Sequence, residues 1–505
     1  MATKLQPNPQ DIQRVVQLFQ QGHVAMAETQ AKHLLAQYPQ VFILHHVLSL
    51  ALDQQQKYPE AIQSYERALS LQPNMPELWF NLAIAQTNVG NLAQAEQSYR
   101  QAIKLQPQFF EAHGNLGTVL QRQGKLGEAI ASYRQGLSIN PQDARGYFNL
   151  GTALRDEGSL NDAVESYQKA IALFPNYTDA YNNLGETLRD RGDMDDAVKH
   201  YQLALSLNPN HPGANYNMGE FLYLAKKYDE AVAFFERSQL DDWQPRAMYC
   251  LYKAERFEDF KSRLDHVVTT TKHTAPFMAT LSTHYAINFG VEDPYNFCKN
   301  GFDFVYQEPI AELAEPNSPL LKQLLIDIEN TDIAERVQGM LINGKQSAGN
   351  LFKRPEASFR RLGELVKQEF MRYKARYAGA DCELIKSFPN QLEFTSSWYV
   401  KMRRGGYVDK HIHEVGWISG AVYLVLPQQR QDPTEGCFEY GAHGDNYPQK
   451  HDNFPSAIVS PRVGDIVLFP SSLFHRTIPF NSDEQRICIA FDLKPEGDIF
   501  IRSNY

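Results

Sequence analysis

Two histidines separated by one residue, in the run HIH at 411–413, are well suited to hold a metal ion. Neutral imidazole is a common ligand of iron, zinc and copper. Along a β-strand, residues i and i+2 point to the same side. His411 and His413 could therefore share one metal ion, while Ile412 and Glu414 would point away from it. An HxH pair is weak evidence on its own, because two exposed histidines on one strand are common.

The elements that must position this pair are short strands. From about Leu392 the sequence consists of runs rich in Val, Ile, Tyr and Phe that are broken by Gly and Pro: LEFTSSWYVKM, GWISGAVYLVLP, GCFEYGA, GDIVLFP and RICIAFDL. Several short strands separated by turns predict a sandwich or jelly roll. The run LFPSSLFH ends at His475 in the same region, and Arg486 follows eleven residues later.

The order of these features resembles the double-stranded β-helix of the 2-oxoglutarate- and Fe(II)-dependent oxygenases, over about residues 392–495. The likeness is greatest to the prolyl-hydroxylase-like branch and to a bacterial group with HxH followed by a WxSG segment, here the run WISG at 417–420. The resemblance implies that Fe(II) is bound by His411, His413 and His475, with 2-oxoglutarate as cosubstrate.

The same resemblance implies two residues for the 2-oxoglutarate carboxylate. Arg486 matches the residue that pairs with this carboxylate, and Tyr423 matches a tyrosine that hydrogen-bonds to it. The sequence departs from the family at His413, where the usual motif has Asp or Glu. Glu414 is the alternative ligand. Strand alternation favours His413, because Glu414 would face away from the metal unless a bulge intervened.

A period of 34 residues runs through the N-terminal half of the chain. It is kept by prolines at Pro39, Pro73, Pro107, Pro141, Pro175 and Pro209, and by alanines at Ala27, Ala61, Ala95, Ala129, Ala163, Ala197 and Ala231. Aromatic residues follow the same step at Tyr65, Tyr99, Tyr133, Tyr167, Tyr201 and Phe235, and glycines at Gly90, Gly124, Gly158 and Gly192. Small alanines allow helices to pack closely, glycine ends a helix, and proline prevents a helix from continuing. The period predicts stacked helical hairpins.

This spacing resembles the tetratricopeptide repeat family over residues 8–245, about seven repeats. Asparagines recur in the first helix of five repeats, at Asn81, Asn115, Asn149, Asn183 and Asn217. The run NLG resembles the repeats of O-GlcNAc transferase, where such asparagines line the concave face and hold extended peptides. The alternative is that each amide joins neighbouring repeats by hydrogen bonds, and both roles can coexist.

The expected architecture is α+β and multidomain. We expect an all-α tetratricopeptide solenoid at 8–266, a helical connecting region and N-terminal flank of the oxygenase at 267–390, and the double-stranded β-helix core with flanking helices at 391–505. Amphipathic spacing predicts helices in PLLKQLLIDIENT and SFRRLGELVKQEFMRYKARYA, and GMLINGKQSAGNLF between them is interpreted as a polar loop.

The composition excludes several function classes. A net charge of −10 argues against a dedicated nucleic-acid binder, and no stretch is apolar enough to span a membrane. Five scattered cysteines and the lack of a signal-peptide pattern indicate a cytoplasmic protein.

Together these features favour a 2-oxoglutarate-dependent dioxygenase that hydroxylates a protein or peptide captured on the concave face of the repeats. Repeat-plus-oxygenase pairings among collagen-modifying prolyl hydroxylases support this by analogy. Two alternatives remain open: a scaffold with a non-catalytic oxygenase-like domain, and an oxygenase of a small molecule whose repeats serve assembly. Homo-oligomerisation through edge repeats is also open.

Overall fold

The computed structural model describes residues 7–330, 333, 335–336, 340–389, 392–414 and 416–495. The expected ends of the C-terminal domain, residues 391 and 496–505, lie outside the described residues. The chain divides into two compact units, Met1–Phe221 and Leu222–Tyr505. The expected α+β multidomain architecture is confirmed, with a helical repeat array followed by antiparallel sheets.

The first unit is built from consecutive helices of 12 to 14 residues. They are α1 (Pro9–Gln20), α2 (Val24–Gln37), α3 (Phe42–Gln54), α4 (Tyr58–Leu71), α5 (Pro76–Asn88), α6 (Leu92–Leu105), α7 (Phe110–Arg122), α8 (Leu126–Ile139), α9 (Ala144–Glu157), α10 (Leu160–Leu173), α11 (Thr178–Arg191), α12 (Met194–Leu207) and α13 (Pro212–Leu224). Each helix packs on the next in the chain, as stacked hairpins require.

The periodic residues explain this packing. The repeat alanines and tyrosines are buried; Ala163, for example, is fully inaccessible to solvent. A Cβ atom added to Gly185 would lie 2.5 Å from the ring of Tyr201, so the first helix can approach this ring only at a residue without a side chain. Gly158 and Gly192 end their helices at φ of 92° and 98°, a conformation that costs glycine little.

The second unit begins with helices and continues into sheets. Its helices are α14 (Tyr228–Ser238), α15 (Trp243–Lys253), α16 (Phe257–Thr270), α17 (Pro276–Phe289), α18 (Ala311–Ala314), α19 (Pro319–Asn330), α20 (Ala357–Arg376) and α21 (Glu383–Lys386). The two amphipathic helices expected from the sequence are confirmed as α19 and α20.

The strands are β1 (Tyr306–Pro309), β2 (Glu335–Arg336), β3 (Leu341–Ser347), β4 (Leu392–Val408), β5 (Ile418–Val425), β6 (Phe438–Gly441), β7 (Ser456–Val459), β8 (Asp465–Pro470), β9 (Phe474–Thr477) and β10 (Arg486–Pro495). They form a seven-stranded sheet in the order β1-β8-β5-β10-β4-β3-β2 and a three-stranded sheet in the order β7-β6-β9. All strand pairs are antiparallel.

An apolar core lies between these two sheets. It combines Val400, Tyr423 and Phe469 of the larger sheet with Phe438 of the smaller one. Residues on both sheets therefore face a common interior. The five strands expected from the sequence are confirmed as β4, β5, β6, β8 and β10.

The interpretation of GMLINGKQSAGNLF as a loop is wrong for part of its length. Residues Leu341–Ser347 form β3, which pairs with β4. Its polar side chains conceal the strand in the sequence, because a strand near a sheet edge can leave most of them in solvent. Leu341 alone joins the core between the sheets.

Candidate metal centre

Two backbone hydrogen bonds place His411 beside His475. The amide of His411 donates to the carbonyl of His475 at 3.1 Å, and the amide of His475 donates to the carbonyl of His411 at 2.9 Å. β4 ends at Val408, so His411 and His413 follow the strand rather than lie within it. The expectation that they share a regular strand is therefore wrong, although their rings still converge.

The three imidazoles form one cluster. The Nε2 atoms of His411 and His413 are 3.1 Å apart, and the ring centroid of His475 lies 4.3 Å and 4.8 Å from those of His411 and His413. One potential ligand atom from each residue lies within 4.8 Å of the others. Among the described residues, these three alone form a group of histidine, cysteine or acidic side chains arranged for a metal.

Each ring is oriented by an acceptor at Nδ1. His411 donates to the carbonyl of Asp409 at 2.7 Å, His475 donates to the carbonyl of Leu473 at 3.2 Å, and His413 donates to the carboxylate of Asp492. A proton held at Nδ1 leaves the lone pair of Nε2 available for a metal. The donor set therefore fits a three-histidine site.

The rings also resist protonation. Burial and the adjacent charge of His413 lower the pKa of His411 to about 4. Burial, followed by the charges of His411 and His413, lowers the pKa of His475 well below its ordinary value. Neutral rings at pH 7 are the form that binds metal.

Glu414, the alternative to His413, points to a helix. Its carboxylate lies 2.9 Å from the guanidinium of Arg246 on α15. This ion pair occupies the carboxylate away from the three converging Nε2 atoms.

Glu439 of β6 joins the two segments that carry the histidines. Its carboxylate lies 2.7 Å from Lys410 Nζ and 2.6 Å from an Arg476 nitrogen. These partners immediately precede His411 and follow His475. Burial would raise the pKa of Glu439, but hydrogen bonds from Lys410 and Arg476 hold it below the usual range. This ion-pair network had no signal in the sequence, because its members become neighbours only when β6 and β9 pair.

Arg486 and Tyr423 lie on adjacent strands of the larger sheet. Arg486 is only 2% exposed; its Nε donates to the carbonyl of Gly436 at 3.0 Å, and its guanidinium lies 5.2 Å from the ring centroid of Tyr423. Burial raises the pKa of Tyr423, which therefore stays a neutral phenol. Within the described part of the chain, no carboxylate pairs with Arg486. A buried cation without a counter-charge is costly, so this position suits an anionic ligand.

The repeat asparagines lie on the first helices of their hairpins and differ in their surroundings. Asn115 and Asn183 hydrogen-bond to the hydroxyls of Tyr99 and Tyr167 in the preceding repeat. Asn217 is buried and donates to Asn182 at 2.9 Å, again across a repeat boundary. Asn81 and Asn149 are half-buried. Inter-repeat bonding, one of the two roles considered for these amides, therefore occurs at three positions.

Two residues near the metal centre gave no functional signal in the sequence. Asp492 and Ser419 contact the back of His413, and Ser419 belongs to the WISG segment that was noted only as a motif. Asp492 is 79 residues from His413, and only the pairing of β10 with β5 aligns it with Ser419.

Three family models match the sequence. A model described as "Putative 2OG-Fe(II) oxygenase" matches residues 396–492. A model of the C-terminal domain of cilia and flagella-associated protein 70 matches residues 16–215, and a tetratricopeptide repeat model matches residues 188–247. No curated protein matches the sequence significantly.

Solved structures similar to this chain include tetratricopeptide proteins. MamA from Desulfovibrio magneticus is 25% identical, with 33% of this chain and 95% of that chain covered at a TM-score of 0.33. YrrB, described as a tetratricopeptide protein with an unusual peptide-binding site, is 19% identical, with 36% and 95% covered at 0.33. A repeat protein from Cytophaga hutchinsonii is 17% identical, with 48% and 99% covered at 0.41.

No helix in the described residues is long and apolar enough to cross a membrane. The chain thus carries tetratricopeptide repeats in its N-terminal part and, at residues 396–492, a domain that matches the 2OG-Fe(II) oxygenase family.

Proposed function

We propose that this protein is a 2-oxoglutarate- and Fe(II)-dependent dioxygenase that hydroxylates a protein or peptide substrate. His411, His413 and His475 would hold Fe(II). The observation that carries this proposal is the convergence of three imidazoles whose Nδ1 atoms are each bound to an acceptor. This arrangement directs every Nε2 lone pair to one point, as a facial metal site requires.

Arg486 and Tyr423 would hold 2-oxoglutarate. The guanidinium of Arg486 offers paired N–H donors of the geometry that a carboxylate accepts, and the Tyr423 hydroxyl adds a neutral donor. Their burial excludes water, which strengthens both interactions. When bound, Fe(II) and 2-oxoglutarate supply the oxidation: dioxygen gives one oxygen atom to succinate, formed with loss of CO₂, and the other to the substrate hydroxyl.

The repeat array would capture the substrate polypeptide. Stacked hairpins present an extended surface of first helices, and this surface carries half-buried amides at Asn81 and Asn149. An amide side chain can donate to and accept from a peptide backbone at the same time. Asn115, Asn183 and Asn217 belong to the same proposed row, although their amides also bond within the array.

An anaerobic titration tests the metal centre. Purified protein receives Fe(II) and then 2-oxoglutarate, and the weak visible charge-transfer band of the chelate is recorded. We expect the band in the wild type, its loss in His413→Ala, and its retention in His266→Ala, which removes an exposed histidine of the same unit. Absence of the band in the wild type would refute the proposed cofactor set.

Succinate formation tests catalysis separately. Many active sites of this kind consume 2-oxoglutarate slowly without substrate, so we expect succinate from the wild type with Fe(II) and air, and none from His475→Ala. A wild type that shows the chelate band but makes no succinate with any peptide would indicate a binding scaffold rather than an enzyme.

A further inference from the structure

A buried carboxylate lies directly behind one of the proposed iron ligands. Asp492 accepts a hydrogen bond from His413 Nδ1 through Oδ1. Ser419 Oγ donates to the same oxygen at 2.6 Å, and Ser396 Oγ donates to Oδ2 at 3.0 Å. The Asp492 side chain is only 13% exposed. Three side chains therefore fix this carboxylate against the ring, on the side opposite Nε2.

The charge of Asp492 is uncompensated by any basic residue. Among the described residues, neither lysine nor arginine pairs with it; His413 is its single partner capable of positive charge. Glu439, equally buried, has both Lys410 and Arg476. An isolated buried carboxylate is costly unless positive charge lies near. For Asp492 such a charge can come through His413, from whatever Nε2 binds.

The space around this carboxylate is kept by a glycine. A Cβ atom added to Gly416 would lie 2.6 Å from Ser471 Oγ and 3.2 Å from both Asp492 Oδ1 and Ser419 Oγ. Ser471 Oγ in turn lies 2.7 Å from Ser419 Oγ. The segment that follows the HxH pair thus leaves room for a small polar cluster at the back of His413 and for nothing larger.

We propose that Asp492 is a positioning residue that supplies, through His413, the negative charge that a directly coordinating Asp or Glu would give the iron. The inference rests on the proposed function. The unusual HxH sequence then keeps its carboxylate, but one residue removed from the metal. By accepting from Nδ1, Asp492 orients the ring and increases the electron donation of Nε2 to the metal. Ser419 and Ser396 hold Asp492 in place.

Asp492→Asn separates this role from simple packing. Asparagine has the same shape, and its carbonyl oxygen can still accept from His413 and Ser419, so only the charge is lost. A purely structural role would survive this change. Asp465→Asn is the matched control: Asp465 is also buried in the larger sheet, where it accepts from Gln307 and the amide of Arg462, away from the histidines.

The experiment measures Fe(II) affinity of the full-length protein by anaerobic competition with a chelator, and the Fe(III)/Fe(II) reduction potential of the loaded protein. We expect Asp492→Asn to bind Fe(II) on the order of 10–100-fold more weakly. Its potential should rise, because a less electron-donating ligand favours the ferrous state. Asp465→Asn should match the wild type in both measurements. Wild-type affinity and potential in a folded Asp492→Asn would overturn the inference.

Ser419→Ala provides an independent variant if Asp492→Asn does not fold. Removal of this hydroxyl leaves the carboxylate with fewer hydrogen bonds, so it accepts more strongly from His413, and the potential should fall. A raised or unchanged potential would contradict the proposed role. A wild type that binds no Fe(II) would instead refute the metal centre itself, so the two failures are distinguishable.

Discussion

Arg486 is a buried guanidinium whose described partners are a carbonyl, two sulfur atoms and an aromatic ring. We expect Arg486→Ala to weaken 2-oxoglutarate binding at least about 30-fold, since loss of one member of a buried charge pair costs on the order of 2–5 kcal/mol. Fe(II) affinity should change little, because the imidazoles remain. Calorimetric titration of each ligand measures both, with exposed Arg403→Ala as the control. An equal loss of Fe(II) affinity would show that the role of Arg486 has been misassigned.

His284 of α17 gives the second unit a specific sensitivity to acid. It is fully buried, with Nδ1 beside the Tyr252 hydroxyl at 2.7 Å and Nε2 beside His443 at 2.8 Å. Burial, together with the charge of His443, lowers its pKa to about 3. The unfolded chain takes up this proton near pH 6.5 and the folded chain does not, so stability is complete above pH 6.5 and declines as pH falls towards 3.

The expected decline is about 1.4 kcal/mol per pH unit for this one group. Between pH 7 and pH 5, urea unfolding should therefore show the wild type losing about 2 kcal/mol more than His284→Gln, which keeps hydrogen-bonding capacity but does not titrate. Equal losses in the two proteins would mean that His284 is protonated in the folded state.

Residue types alone indicated the proposed ligands, but they did not indicate the groups that orient them. His411, His413, His475 and Arg486 have distinctive spacing in the sequence. Asp492 ends an ordinary apolar strand, and nothing in that strand marks its last residue as the partner of an imidazole. Such partners depend on strand register, which a single sequence does not specify.

At the scale of elements, the helical hairpins depend on glycine where a tyrosine ring packs. Gly185→Ala would place a methyl group 2.5 Å from the Tyr201 ring and 3.1 Å from the carbonyl of Ala197. We expect a loss of about 1–3 kcal/mol from overpacking. Gly127, in α8, has no atom within 4 Å of an added Cβ, and Gly127→Ala should stabilise by up to about 1 kcal/mol through helix propensity. Chemical unfolding of both variants checks the contrast; destabilisation of the two to the same extent would contradict it.

The two kinds of element differed in how well their sequence predicted them. Helix pairs such as α9 and α10 repeat a pattern many times, so each copy supports the interpretation of the others. β5 and β8 are apolar runs bounded by turns. β3, β7 and β9 lack both advantages: β7 and β9 have four residues each, and β3 is mostly polar. Their stability comes from pairing with neighbours, which is a property of the sheet and not of the segment.

At the scale of the whole molecule, the proposed ligands belong to one unit only. A ligand present at 100 times its Kd stabilises the state that binds it by about 2.7 kcal/mol. We expect Fe(II) with 2-oxoglutarate, added anaerobically, to slow hydrogen exchange in the strands of the second unit and to leave the helices α1–α12 unchanged. His413→Ala should abolish the effect. Uniform protection of both units in the wild type would be inconsistent with a ligand site confined to the second.

α15 contributes to the surroundings of the proposed metal centre although it precedes the sheets by more than a hundred residues. Arg246 pairs with Glu414, Tyr249 donates to Asp445 at 2.7 Å, and Lys253 donates to the Asp445 carbonyl at 2.6 Å. Recombination that exchanged the repeats at the point where their period fades, near Trp243, would take these three contacts away from the oxygenase domain. Whole hairpins nearer the N-terminus carry no such burden. Lineages of this protein are therefore expected to vary in repeat number at that end, while the stretch from α15 onward is inherited together with the histidines it helps to hold.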